Sequence, residues 1–170
     1  MKNISFRNDV LPLKNVLYRL ALRITVSREE AEDVVQDTLI KVWNKRDDWQ
    51  ELDSIEAYSL TVCRNLALDR VKSSAAGNAS LEEHDIDSAD SASGPYERMM
   101  QKDRIQTVRR IVDSLPEKQR TCMQLRDFEG KPYKEIADIL GITEEQVKVN
   151  IFRARRTVKQ KYIEVDKYGL

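Results

Sequence analysis

Apolar residues recur along this chain at helical rather than strand spacing. Ala31, Val34, Val35, Thr38, Leu39, Val42 and Trp43 repeat at i, i+3, i+4, i+7, i+8, i+11 and i+12, which lines one face of a helix. Ser27 precedes this run, and Glu29 and Glu30 fill its first turn, so a helix start is expected there. Val10, Leu13, Leu17, Leu20 and Leu22 predict an earlier helix over 8–25, with Pro12 near its start. A polar loop from Asn44 to Ser54 carries Trp49, and a third helix is expected from Ile55 to Lys72. Its core side should be Leu60, Cys63, Ala67 and Val71. Thr61, Arg64, Asn65, Leu68 and Lys72 share another sector of about 100°.

The pattern then stops. From Ser73 to Pro95 the chain is rich in Ser, Ala and Asp, with Leu81 and Ile86 its only large aliphatic residues. Such a stretch cannot bury enough surface to offset its ordering entropy, so 73–95 reads as a flexible acidic linker. Helical spacing returns over 96–114, over 116–128 and over 133–140, where Gly141 ends the element. Thr143-Glu144-Glu145-Gln146 then has the form of a capping box opening a last helix. A short helix, a glycine turn and a capped longer helix form a helix-turn-helix outline, one that many helical hairpins share. The expected fold is all-α: two small helical domains, 1–72 and 96–170, joined by the acidic linker.

Charge sharpens this division. The chain of 170 residues has 29 Lys+Arg and 29 Asp+Glu, a formal balance of zero. Residues 1–72 hold 12 of each sign, residues 73–97 hold six acids and no base, and residues 98–170 hold 17 bases against 11 acids. The basic end keeps nucleic acid open as a partner. From Gln146 to Ile163 there are six basic residues and no acid. Val147, Ile151, Ala154, Val158 and Tyr162 form the stripe expected to be buried. A solvated basic face is the ordinary explanation of the opposite side. It leaves Val149 and Phe152, set among Lys148, Arg153, Arg156 and Lys159, without a reason. Thymine methyls and phosphates in a major groove supply one.

Other functions lose ground. No apolar run reaches the length a membrane span needs, and the N-terminus has no signal-peptide pattern. Cys63 and Cys122 fall inside helical patterns and suit reduced cytosolic thiols. With His84 alone in the linker there is no ligand set for a structural metal, and no cofactor is expected.

Three segments carry a resemblance. Glu30 to Trp43 (EAEDVVQDTLIKVW) resembles the core-polymerase-binding helix of bacterial sigma factors, and Ala57 to Arg70 (AYSLTVCRNLALDR) resembles their −10-element helix. Leu115 to Arg120 (LPEKQR), Tyr133 to Ala137 (YKEIA) and Val147 to Arg155 (VKVNIFRAR) resemble their −35-binding domain. With no inhibitory N-terminal segment and no middle domain, the chain is most similar to the extracytoplasmic-function subgroup.

The resemblance implies a role for each matching position. Asp33, Gln36, Asp37 and Ile40 would meet the clamp helices of the polymerase β′ subunit. Asn65, with Arg64, Thr61, Lys72 and the loop around Trp49, would hold the melted −10 strand and a flipped base. Lys148, Val149, Phe152 and Arg153 would read −35 bases, with Arg155 and Arg156 near phosphates. The C-terminal domain would touch the β flap through its apolar surface. Promoter DNA, core RNA polymerase and an anti-sigma factor, soluble or membrane-bound, would be the partners, and the cytoplasm the location. Two other classes compete with this reading. A self-sufficient helix-turn-helix regulator would bind palindromic sites without polymerase. A metal enzyme built on the acids of the second helix would need a converging histidine or a second acidic helix. The chain is expected not to be an enzyme.

Overall fold

A computed structural model describes residues 3–77 and 95–168; the expected linker, apart from 73–77 and Pro95, lies outside the described residues. Among the described residues the architecture is helical with no strand. Seven helices carry it: α1 (Lys14–Thr25), α2 (Arg28–Asn44), α3 (Ile55–Gly77), α4 (Pro95–Asp113), α5 (Glu117–Met123), α6 (Tyr133–Leu140) and α7 (Glu144–Tyr168).

Local chemistry sets the boundaries. Ser27 caps α2, its hydroxyl accepting from the Glu30 N–H at 3.3 Å. The capping box at α7 closes in both directions: the Thr143 N–H donates to Gln146 Oε1 at 2.9 Å, and the Gln146 N–H donates to Thr143 Oγ1 at 3.1 Å. Gly141 ends α6 with φ of 68°, in the left-handed region where glycine carries no steric penalty.

Three boundaries differ from the sequence reading. The first expected helix is regular only from Lys14. Phe6–Val10 forms a wide π turn and Leu11–Leu13 a 3₁₀ turn containing Pro12, whose missing N–H and fixed φ suit a turn entering a helix. The element expected over 116–128 is α-helical only to Met123 and continues as a π turn, Gln124–Phe128. Helix α3 runs five residues past Lys72, through Ser73-Ser74-Ala75-Ala76 to Gly77. Alanine has the highest helix propensity, so the helix continues into what reads as linker.

Helices α1, α2 and α3 form one bundle, and α5 and α6 pack on α7, with α4 alongside α7. Leu60, Cys63 and Ala67 are buried as the α3 periodicity predicts; Val71 is 37% exposed and is corrected from core to surface. The two bundles are not separate. α1 and α3 pack against α5 and α6, and one core includes Leu17, Leu20, Ile24, Val34 and Leu60 from the first bundle with Cys122, Leu125, Ile136 and Val147 from the second. A smaller core, Val10, Val42 and Trp49, joins the N-terminal turn to the end of α2.

Ion pairs follow the same seam. Arg19 pairs with Glu129 at 2.5 and 2.9 Å, Arg64 with Glu117 through two bonds of 3.1 Å, and Lys131 with Glu56. Arg23 donates to Asp113 and to Gln124, each at 2.9 Å. Arg120 of α5 donates to the carbonyls of Arg23 and Ile24, each at 3.0 Å. Its guanidinium therefore satisfies carbonyls that the end of α1 leaves open.

Candidate nucleic-acid interface

Helix α7 presents its expected face. Val147, Ile151 and Ala154 are buried, which fixes the rotation of the helix and turns Val149, Phe152, Arg153 and Arg156 outward. Phe152 is 65% exposed, an unusual position for a phenylalanine on a rigid, well-capped helix. Lys148 is exposed at the side of this face, its Nζ 5.6 Å from the centre of the Tyr133 ring. A groove of about 270 Å³ runs between α5 and α7, lined by Lys118, Ile142, Glu145, Gln146, Val149, Asn150 and Arg153. Lys118 is a neighbour of this face that the pattern of α7 alone does not show. Arg155 is placed differently from the sequence expectation. It turns to Asp127 and forms a two-pronged ion pair, and the hydrogen bond to Asp127 raises its pKa above the usual guanidinium value. Arg155 therefore braces α7 against the turn after α5 instead of standing free for a phosphate.

The expected −10 face of α3 is split. Asn65 and Lys72 are exposed. The Thr61 hydroxyl donates to the Ala57 carbonyl at 2.9 Å within its own helix. Arg64 is only 7% exposed and faces Glu117 of the other bundle. Asn65 lines an open groove of about 370 Å³ with Lys41, Asn44, Lys45, Tyr58, Val62, Leu66 and Asp69. The groove offers an amide with both a donor and an acceptor, two lysines and a tyrosine ring.

Trp49 is corrected from a base-stacking candidate to a core residue. It is 5% exposed, and its indole N–H donates to the Val42 carbonyl at 2.9 Å. The exposed tryptophan of this region is Trp43, at 44%, with the Arg46 guanidinium 4.6 Å above its ring. Lys41, Asn44, Lys45 and Tyr58 were missed because they lie on the end of α2 and the start of α3. They meet Asn65 only when the two helices pack. Lys41, which falls outside the apolar stripe of α2, was the one available signal.

On α2, Asp33, Gln36 and Ile40 are exposed on one face and Asp37 is half-buried. Ile40 is 57% exposed, and Trp43 continues its row. Arg70 of α3 gathers the carboxylates of this helix, reaching Glu30 at 3.1 Å, Asp37 at 3.2 Å and Asp33 at 3.4 Å. These acids thus converge on a guanidinium. Among the described residues no group of three His, Cys, Asp or Glu side chains is arranged to hold a metal.

Comparison with known proteins places both bundles. The description "Sigma-70 region 2" matches residues 10–76, and "Sigma-70, region 4" matches residues 105–158. The ECF RNA polymerase sigma factor SigL of Mycobacterium tuberculosis is 30% identical over 85% of this chain and 81% of its own. The RNA polymerase sigma-H factor of Pseudomonas aeruginosa is 29% identical over 88% of this chain and 81% of its own. The probable sigma factor RfaY of Xanthomonas campestris is 26% identical over 91% of this chain, which spans only 40% of that longer relative. Among solved structures, the sigma factor RpoE of Bartonella quintana, in complex with the anti-sigma factor NepR, matches with a TM-score of 0.74 and 25% identity. That match covers 95% of this chain and 98% of the other.

Proposed function

This chain belongs to the extracytoplasmic-function group of sigma-70-type RNA polymerase sigma factors, and we propose that it brings core polymerase to a promoter set by reading −35 DNA and opening the −10 element. Residues 1–72 bind core polymerase and the −10 strand, and residues 96–170 bind the −35 element. The observation that carries the reading is the groove beside Asn65. Opening a duplex requires a site that catches a base once it leaves the stack, at a cost of a few kcal/mol. An exposed asparagine on a rigid helix, with a tyrosine ring and two lysines on the same wall, fits an extruded base and its flanking phosphates.

The other surfaces fit the same role. Val149, Phe152 and Arg153 enter the major groove at −35, with Lys148 and Arg156 beside them. Asp33, Gln36, Asp37 and Ile40 offer the polymerase clamp an acidic face with an isoleucine at its centre. The apolar surface of the second bundle contacts the β flap. Regulation by an anti-sigma factor is supported by the Bartonella factor, whose structure is a complex with NepR. Among the described residues no helix is long and apolar enough to cross a membrane, and the proposed place of action is the cytoplasm.

Run-off transcription with purified core polymerase tests the reading. The protein should confer initiation at a discrete set of promoters that core polymerase alone ignores. Tight binding to a palindromic duplex without polymerase, and no stimulation with it, would make the chain an ordinary helix-turn-helix regulator.

A further inference from the structure

The outward row of α7 begins with an acid. At 100° per residue, Glu145, Val149, Phe152, Arg153 and Arg156 fall within about 100° of one another, opposite the buried stripe of Val147, Ile151 and Ala154. Glu144 lies outside this sector. Glu145 also lines the groove between α5 and α7, together with Lys118, Val149 and Arg153. Among the described residues, the side chains of Glu145, Lys118 and Arg153 form no hydrogen bond or ion pair. Their polar neighbours on α7 are engaged: Gln146 Oε1 accepts from the Thr143 N–H at 2.9 Å, Asn150 Nδ2 donates to the Gln146 carbonyl at 2.8 Å, and Arg155 pairs with Asp127. The helix dipole explains an acid in the first turn, a place that Glu144 and Glu145 share. It does not explain a carboxylate at the head of the row that meets DNA, where approach is costly unless a donor satisfies it.

We propose that Glu145 is a specificity-determining residue, whose carboxylate accepts a hydrogen bond from the exocyclic amine of a cytosine in the major groove. The base edges decide the choice. Cytosine presents its N4 amine there without an acceptor, whereas adenine sets N7 beside its amine. Guanine and thymine present acceptors that repel a carboxylate. Arg153 has the opposite preference, for guanine O6 and N7. The two residues lie eight positions apart, which is about 12 Å along the axis, or roughly three to four base-pair steps. Val149 and Phe152 fall between them and suit thymine methyls. The row therefore has a direction, and a site that is shifted or inverted sets the carboxylate against an acceptor. Glu145 thus acts chiefly by rejecting wrong sequences. The assignment rests on the proposed promoter reading for the identity of its ligand.

The test uses holoenzyme reconstituted from the full chain and core polymerase, with a promoter library randomised over the −35 element. Sequencing the templates that yield transcript gives the base preference at each position. Arg153→Ala in the same selection locates the guanine that Arg153 reads. Wild type should favour cytosine roughly three to four base pairs from that guanine. Glu145→Gln should reduce this preference by about tenfold and leave the other positions as they were. Glu144→Gln removes the same charge from the first turn but off the row, and it should keep the preference. Circular dichroism should show equal helical content in both variants. A cytosine preference that survives Glu145→Gln, a wild-type preference for another base there, or equal relaxation by Glu144→Gln overturns the assignment alone. A wild-type holoenzyme with no −35 preference overturns the promoter reading and the assignment with it, so the two failures are distinguishable.

Discussion

Trp49 separates the fold of the −10 region from its chemistry, and substitutions there have a calculable outcome. The indole is 5% exposed, lies edge-on to Trp43 with ring centres 6.2 Å apart, and packs in a small core with Val10 and Val42. Truncating a buried aromatic to alanine costs about 3 to 5 kcal/mol. Trp49→Phe keeps most of the apolar contact and loses the N–H bond to Val42. The Val42 carbonyl still accepts from the Lys45 N–H at 3.2 Å, so no acceptor is orphaned. The loss should then be modest, about 1 kcal/mol. Urea denaturation should show both variants with lowered midpoints and an unchanged slope, the alanine by several-fold more. Open-complex formation, measured as permanganate reactivity of unpaired thymines and corrected for the folded fraction, should stay at the wild-type level in Trp49→Phe. A Trp49→Phe protein with a wild-type urea midpoint and lost permanganate reactivity would refute this reasoning, because the ring would then be stacking on a base.

The remaining predictions concern other surfaces. Phe152→Ala and Arg153→Ala should each weaken −35-dependent initiation by about 1 to 3 kcal/mol per lost base contact, with core-polymerase affinity unchanged in a pull-down. Arg155→Ala should change that initiation little, and its exposed pair with Asp127 should contribute about 0 to 1 kcal/mol to thermal stability. Asn65→Ala should leave duplex −35 binding intact and abolish the permanganate signal at −10. Val26 ends α1 with φ of 54°, a left-handed conformation that a β-branched residue resists, and it is 43% exposed. Val26→Asn should therefore raise the melting midpoint by about 2 to 4 °C, the equivalent of roughly 1 kcal/mol in a chain of this size. Burial pushes the thiols of Cys63 and Cys122 up to about 12 from an ordinary 9.0, so the folded chain holds them protonated. Their contribution to stability is complete below about pH 9 and is lost as pH rises toward 12. At pH 8 a disulfide reagent should label both only at the rate of opening or unfolding.

Elements dominated by a single helix were legible in the sequence, because one periodicity and one cap decide them. The α2 stripe, the Ser27 cap, the Thr143–Gln146 box and the outward face of α7 all depend on residues within a few turns of one another. The groove beside Asn65 was only half legible. Asn65 could be placed on the surface of α3, but the wall opposite it comes from Lys41, Asn44 and Lys45, which α2 supplies through a packing angle that no helical wheel contains. Trp49 misled for a related reason. Its loop is polar in composition, yet the indole has a large apolar surface and one N–H, and the end of α2 offered both a core and an unfilled carbonyl.

The seam between the bundles was invisible for a physical reason. Regional charge gives the first 72 residues a balance of zero and the last 73 an excess of base. That bookkeeping points to repulsion or indifference between the halves. The structure pairs them locally in both senses: three arginines of the neutral bundle meet carboxylates of the basic one, and Lys131 of the basic bundle meets Glu56 of the neutral one. At about 3 Å the identity of the facing side chain outweighs the net charge of the domain, since distant charges are screened within about 8 to 10 Å at ordinary salt. The exposed bases of α7, Lys148, Arg153 and Arg156 among them, take no part in these pairs.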